Sequence, residues 1–376
     1  MNRDAMKALY ESGGEKRFAL SMINNINDNK IKVDDINITE LWEAMGKPAL
    51  KRDNIIGNTI VTDMDFSEAM SSSAFPKITG ALINKKVQEA YELESGVGDQ
   101  LITVVPSTVK DETIVGYAND NTLREVIEGV DYEEGSITEK YHKIKNIKFG
   151  RIISLTKEMI IFDQTGQMML RARQIGESAK SSRELLIMNA VLELTSTGER
   201  AAWRPAGTAA TLYSSTSNDP YTSGTLDNLG AITLENETDL DEANQLLSQF
   251  TDEQGLPMVV TPKILFTAMS LRGVSHKITT SGQAAKLTSP AGLTNIYDGL
   301  TPLDSTFIDQ QLAITAWFYG DFKKQFVYTQ VWPLQVEQQG RDSEQAFNAD
   351  VVARYKVGYY GGCGAVSNRY VVKGNA

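Results

Sequence analysis

Apolar positions in residues 1–75 come in short helical groupings set apart by polar, Asn- and Asp-rich pieces such as SMINNINDNK and IVTDMDF. TELWEAMG reads as one helix, with Thr39 as N-cap and Gly46 as its C-terminal stop. A segment so interrupted has too little continuous apolar surface for a core of its own. It is expected to lie as an arm over something else, such as a neighbouring copy. From Pro76, PKITGALINKKVQEAYEL spaces Ile78, Leu82, Ala90 and Leu93 at helical intervals, and QLITVVP then reads as a strand. The longest helical pattern is IIFDQTGQMMLRARQIGESAKSSRELLIMNAVLEL, with Asp163 as N-cap and Met168, Ala172, Ile175, Ala179, Leu186 and Ala190 on one stripe. About 30 residues of helix span roughly 45 Å, longer than a compact domain needs, and a stripe of small residues suits a strut.

Residues 196–236 are rich in Ser, Thr, Gly, Asn and Pro and read as surface loops and a boundary. TDLDEANQLLSQF then predicts a helix capped by Asp239, with Glu242 three residues on. Met258 to Val260 predict a short strand, and Thr261-Pro262 open a second helix that stops at Gly273. Strand patterns resume in QLAITAWFYGD, QFVYTQVWPLQVEQ, FNADVVARYKVGYYGG and NRYVVK. Helices alternating with short strands, followed by a block of long strands, predict an α+β architecture.

Charge is laid out unevenly in one place. Residues 124–134 carry Glu125, Glu128, Asp131, Glu133 and Glu134 against Arg124, a net charge of -4. Residues 139–151 carry Lys140, Lys143, Lys145, Lys148 and Arg151 against Glu139, a net of +4. Gly135-Ser136 lies between them, and Ile147, Phe149, Ile153 and Leu155 alternate along the second half, which predicts a long two-stranded hairpin. Its charges either pair across its own strands or lie on a neighbouring copy, where complementary charge sets register.

Composition narrows the functional classes. The 376 residues are 41% apolar and 23% charged, ordinary for a folded chain and long enough for more than one core. A net charge of -11 argues against a protein whose main task is gripping phosphate backbones. One cysteine, Cys363, excludes an internal disulfide and a Cys-based zinc site. No apolar run reaches signal-peptide or membrane-spanning length, so the protein is expected to be made and kept in a cytosol. His142, in the charged hairpin, and His276, in SHKITTSGQ, read as exposed and non-catalytic. Ser154 and Lys157 match S-x-x-K, but in a strand pattern and without its partner motifs. Gly358, Gly361, Gly362 and Gly364 read as a bend between strands, since no helix follows to make a phosphate loop. No catalytic, cofactor-binding or metal site is expected.

The order of these segments resembles the HK97-type fold of tailed-phage major capsid proteins: an N-terminal arm, an extended E-loop hairpin, a long spine helix, an A-domain and returning P-domain strands. EVIEGVDYEEGSITEKYHKIKNIKFGRIISLTKEM stands for the hairpin and DVVARYKVGYYGGCGAVSNRYVVK for the closing strand. Ser154, Glu158, Met159 and Asp163 resemble the family's "S-x-E-hydrophobic" signature with a two-residue spread. The resemblance implies an arm at 1–75, the P-domain start at 76–123, the E-loop at 124–150, spine helix and P-domain at 151–228, an A-domain at 229–322 and closing strands at 323–376. It further implies a major capsid protein of the virion that is not an enzyme and needs no cofactor. Copies would assemble in the bacterial host cytoplasm as hexamers and pentamers, forming an icosahedral shell around double-stranded DNA contacted non-specifically. A portal and decoration or scaffolding proteins would be further partners, with no membrane involved. The expected intersubunit contacts are Glu125, Glu128, Glu133, Glu134, Lys140, Lys143, Lys145 and Arg151. Two alternatives are an encapsulin-type compartment, against which the N-terminal arm counts, and a cytosolic hydrolase or transferase without a recognised motif.

Overall fold

The computed structural model describes residues 3–28, 30, 31, 36, 41, 74–93, 96–118, 138–156, 165–216, 221, 226–252, 255–280, 297, 299–339 and 351–374. In chain order its helices are α1 (Arg3–Asn27), α2 (Ala74–Leu93), α3 (Gly98–Leu101), α4 (Thr165–Val191), α5 (Glu237–Ser248), α6 (Arg272–Thr280), α7 (Thr306–Gln311) and α8 (Phe322–Gln325). The strands are β1 (Thr103–Pro106), β2 (Asp111–Ala118), β3 (Thr138–Lys145), β4 (Ile147–Thr156), β5 (Leu229–Gly230), β6 (Ile264–Ala268), β7 (Thr301–Ser305), β8 (Trp317–Gly320), β9 (Phe326–Gln339), β10 (Val351–Ala365) and β11 (Val371–Gly374). This is the expected α+β fold. The chain divides into two compact units, the first made of Met1–Ser95, Lys148–Ser182 and Trp332–Tyr360, the second of Gly96–Ile147, Arg183–Val331 and Gly361–Ala376. Helix α4 and strands β4, β9 and β10 give residues to both.

In the first unit, α1 is two helical pieces joined at Gly14, whose φ of 66° is a conformation glycine adopts without steric cost. Met6, Phe18, Met22 and Ile26 from α1 are fully buried in one core with Ile78, Leu82, Ile83 and Val87 of α2, Met168 and Ala172 of α4, and Tyr355 of β10. Residues 3–27 therefore pack into their own chain's core; the sequence suggested an arm lying over something else, and for these residues α2 and α4 are part of what it lies over. The apolar positions were sufficient once α2 and α4 supplied the facing surface. Gly176 on α4 lets the two helices approach closely, since a Cβ there would stand 2.5 Å from the carbonyl oxygen of Val87. The predicted cap Asp163 and most of TELWEAMG lie outside the described residues.

The second unit is built on a five-stranded sheet in the order β5-β11-β8-β6-β7. Strand β6 runs parallel to β7 and antiparallel to β8, which is antiparallel to β11. Both faces are covered. Phe266, Ala268, Phe318 and Val371 join one core with Trp203, Phe322 and Phe326, while Leu265, Trp317, Tyr319 and Val372 join another with Leu240, Leu247 and Phe250.

This burial accounts for three differences from the sequence reading. Residues 264–268, expected within a helix, form β6 with every residue buried, because a strand covered on both faces reads as a continuous apolar run and not an alternating one. Met258 to Val260 form no strand; Val259 is 87% exposed, and the neighbourhood holds only a bridge between Thr251 and Pro257. Helix α5 is capped by Asn236, three residues before the expected cap, and the Asp239 carboxylate accepts from the backbone amides of Asn236 (2.7 Å) and Glu235 (2.6 Å). Within the expected loop region 196–236, Trp203, Leu212, Tyr213 and Leu226 are buried. The glycines of β10 are not a bend. They sit within the strand, where a Cβ at Gly361 would meet the Thr329 carbonyl at 2.7 Å and one at Gly362 the Lys145 carbonyl at 2.5 Å.

Candidate intersubunit contact surface

Strands β2 and β3 make a two-stranded sheet of their own, antiparallel and in register from Asp111 opposite Lys145 to Ala118 opposite Thr138. The basic strand thus pairs with residues 111–118, where the sequence suggested the acidic run 124–134. DETIVGYA supplies Thr113, Ile114, Val115 and Tyr117, which favour a pleated surface, and sets Asp111 across from Lys145. Glu125, Glu128, Glu133 and Glu134 lie outside the described residues.

Alternation along β3 divides the expected basic group. Lys143 and Lys145 share one face with Tyr141, while Lys140 shares the other with His142 and Ile144, which are 5% and 3% exposed. Arg151 is exposed on β4 and belongs to the first unit. His142, expected at the surface, is buried: its ring stacks on Trp203 at 6.4 Å and meets Tyr221 edge-on at 6.0 Å. Its even position on the strand turns it inward beside Ile144. His276 is exposed as expected, although it lies in α6 and not in a loop.

The segment from Glu199 to Tyr221 clamps β3. The Tyr221 hydroxyl accepts from the amides of Tyr141 (3.1 Å) and Ala206 (3.0 Å) and donates to the Tyr141 carbonyl (3.1 Å). The Lys143 amide donates to the Arg204 carbonyl at 3.2 Å. Arg204 in turn donates to the carbonyls of Glu199 and Gly207, each at 3.2 Å. The Lys145 ammonium pairs with the Glu199 carboxylate, and this hydrogen bond and charge hold the Glu199 carboxyl below its ordinary value. Nothing local in the sequence marks Glu199, Arg204 or Tyr221, because their partners on β3 lie more than fifty residues earlier in the chain, as the 80-residue separation of Tyr141 and Tyr221 shows.

At the root of the ribbon the chain leaves β3 and enters β4 through a single residue, Asn146, which is 2% exposed. Its Nδ2 donates to Ser107 Oγ at 3.0 Å and to the Val109 carbonyl at 2.7 Å. Its Oδ1 accepts from Thr329 Oγ1 at 2.6 Å, and its backbone amide donates to the Lys110 carbonyl at 2.9 Å. A signal for this site was present in the sequence. Buried positions are even in β3 (His142, Ile144), whereas in β4 the buried position is the odd Ile153, so the phase of the pattern changes across Asn146.

A two-stranded ribbon is marginally stable alone and gains from packing against another surface. Here β3 is braced from within the chain, while Thr113 and Val115 of β2 are exposed and available to a further surface. Elsewhere in this unit β1 is an edge strand exposed along its whole length, including Val104 and Val105. Among the described residues no group of three or more His, Cys, Asp or Glu side chains could hold a metal ion. None of their helices is long and apolar enough to cross a membrane. Burial raises the Cys363 thiol to about 12, too high for a nucleophile at neutral pH.

The phage capsid protein family profile matches residues 139–374, well over half of the sequence, and the chain belongs to that family. It is a phage capsid protein, a component of the virion shell. No curated protein matches it in sequence. Among solved structures, a chain from Gordonia phage Cozz is 11% identical, over 75% of this chain and 86% of that one, with a TM-score of 0.43. The capsid of the cyanophage P-SCSP1u is 12% identical over 74% and 88%, with a TM-score of 0.46. A virus-like particle from Pyrococcus furiosus is 10% identical over 78% and 97%, with a TM-score of 0.39.

Proposed function

We propose that this capsid protein is the major head subunit, and that its copies pack as hexamers and pentamers into a closed icosahedral shell around double-stranded DNA. The observation that carries this reading is the β2–β3 ribbon, a polar two-stranded sheet with an open face in a chain of the phage capsid family. In this reading Lys143 and Lys145, with Lys140 and Arg151, meet the acidic group Glu125, Glu128, Glu133 and Glu134 of adjoining copies. Opposite charges there set register more than affinity, and many weak contacts are multiplied by symmetry. The net charge of -11 suits a container that holds DNA without adhering to it. Assembly takes place in the host cytoplasm, with a portal and decoration or scaffolding proteins as further partners.

The test is negative-stain electron microscopy of the purified protein with size-exclusion chromatography at low and high salt. Closed shells, rings of five or six, or tubes, weakened by salt, are the expected outcome. A stable monomer or dimer at every concentration would overturn the reading.

A further inference from the structure

We propose that Asn146 is a positioning residue for assembly: its amide fixes the direction in which the β2–β3 ribbon leaves the second unit, and so sets the curvature of the shell. The inference rests on the capsid reading above and adds to it the residue that aims the contact.

A ribbon needs both strands held at its root if its direction is to be defined. One side chain does this. Through Nδ2, Asn146 grips the turn that leads into β2 at Ser107 and Val109; through Oδ1 it is tied to Thr329 in β9; and its own backbone is the end of β3. Ser107 extends the brace both ways, its amide donating to the Gln330 carbonyl at 2.9 Å and its hydroxyl to the Glu112 carboxylate on β2. Thr329 Oγ1 also lies 3.2 Å from the Gly362 carbonyl in β10. The loop that leads into β2, the end of β3 and strand β9 thus meet at one buried carboxamide, with β10 reached through Thr329.

The donor pattern makes asparagine specific here. Two acceptors face Nδ2 and one hydroxyl donor faces Oδ1. An aspartate of the same shape would turn a carboxylate oxygen toward the Val109 carbonyl, so Asn146→Asp should splay the root even though it fills the same space. Gly362 shows how little room there is for any other adjustment, since a Cβ there would stand 2.9 Å from Asn146 Oδ1. Buried polar networks of this kind are costly when half satisfied, which is why loss of one partner should free the ribbon.

The experiment compares the full-length protein with Asn146→Asp, Asn146→Ala and Thr329→Val, the last removing only the Oδ1 partner. Hydrogen exchange is read in residues 111–118 and 138–145 and in β6 as an internal control, and the assembled products are sized by electron microscopy under conditions where all four proteins are folded. The expected result is exchange roughly tenfold faster in the ribbon, with β6 unchanged, and products of altered diameter or tubes in place of uniform shells. Shells of wild-type diameter from Asn146→Asp and Asn146→Ala would overturn the proposal. So would loss of protection in β6 together with the ribbon, which would make Asn146 a general stabiliser. If Asn146→Asp does not fold, Thr329→Val carries the same two readouts. Failure of the wild-type protein to assemble would instead strike the capsid reading itself.

Discussion

The hydroxyls of Thr79 and Tyr355, 276 residues apart in the chain, lie 2.8 Å from each other in the core of the first unit. Tyr355 is fully buried, and burial raises its phenol to about 12. Helix α2 and strand β10 are thereby joined by a polar contact within an otherwise apolar core. Thr79→Val is expected to cost about 1–2 kcal/mol because it strands the buried Tyr355 hydroxyl, and Tyr355→Phe, which removes the hydroxyl itself, should cost less. The double variant should cost less than the sum, and urea unfolding of the four proteins measures that coupling.

Helix packing in the same unit depends on Gly176. Alanine there would place its Cβ 2.5 Å from the Val87 carbonyl and 2.8 Å from the Ala90 methyl group. The overpacking penalty of about 1–3 kcal/mol exceeds the gain of at most about 1 kcal/mol in helix propensity. Gly176→Ala should therefore lower the urea midpoint, and a higher midpoint would show that α2 and α4 can separate freely.

Charge reversal on the outer face of β3, Lys143→Glu with Lys145→Glu, should impair assembly while leaving the subunit folded. Lys145 has an internal partner in Glu199, but the carboxylate is exposed and solvent screens the pair, so its loss should matter little to folding. Circular-dichroism melting is expected to change little, while sedimentation shows loss of large particles. Normal shells from this variant would remove that face from the contact.

Two carboxyls predict opposite pH responses. Glu199 lies below the ordinary value of 4.5 through its hydrogen bond to Lys145, so its contribution is present above 4.5 and lost as pH falls through the lower folded value. Glu193 is raised above 4.5 by burial, against the backbone donors Leu212 and Tyr213, so it favours the folded state below 4.5 and that contribution is lost as pH rises through the raised value. Glu199→Gln should flatten the acid-side loss of ribbon protection in hydrogen exchange. Glu193→Gln should remove a decline in stability above 4.5, read as the urea midpoint against pH.

Local patterns identified the elements that present a regular face to one surface. The stripe Met168, Ala172 and Ala190 marked α4, Ile78 and Leu82 marked α2, and the runs in QFVYTQVWPLQVEQ and DVVARYKVGYY marked β9 and β10. The basic strand β3 was equally legible, but residues 139–155 read as one continuous half of a hairpin, and the break at Asn146 that ends β3 and starts β4 went unread. By itself, then, the sequence determined which segments are helix or strand wherever their periodicity is imposed by one-sided burial.

Only the tertiary structure decided what each face meets. Residues 264–268 are a strand because partners cover both sides, which erases the alternation that would announce one. The partner of β3 is β2 and not the acidic run nearest in sequence, and His142 is buried because Trp203 and Tyr221 arrive from sixty to eighty residues away. The glycines of β10 are spaces for neighbouring backbone, which no local rule distinguishes from a bend. Such outcomes depend on which surfaces come together over long chain separations, and periodicity reports only the orientation of a side chain, never the identity of what packs against it.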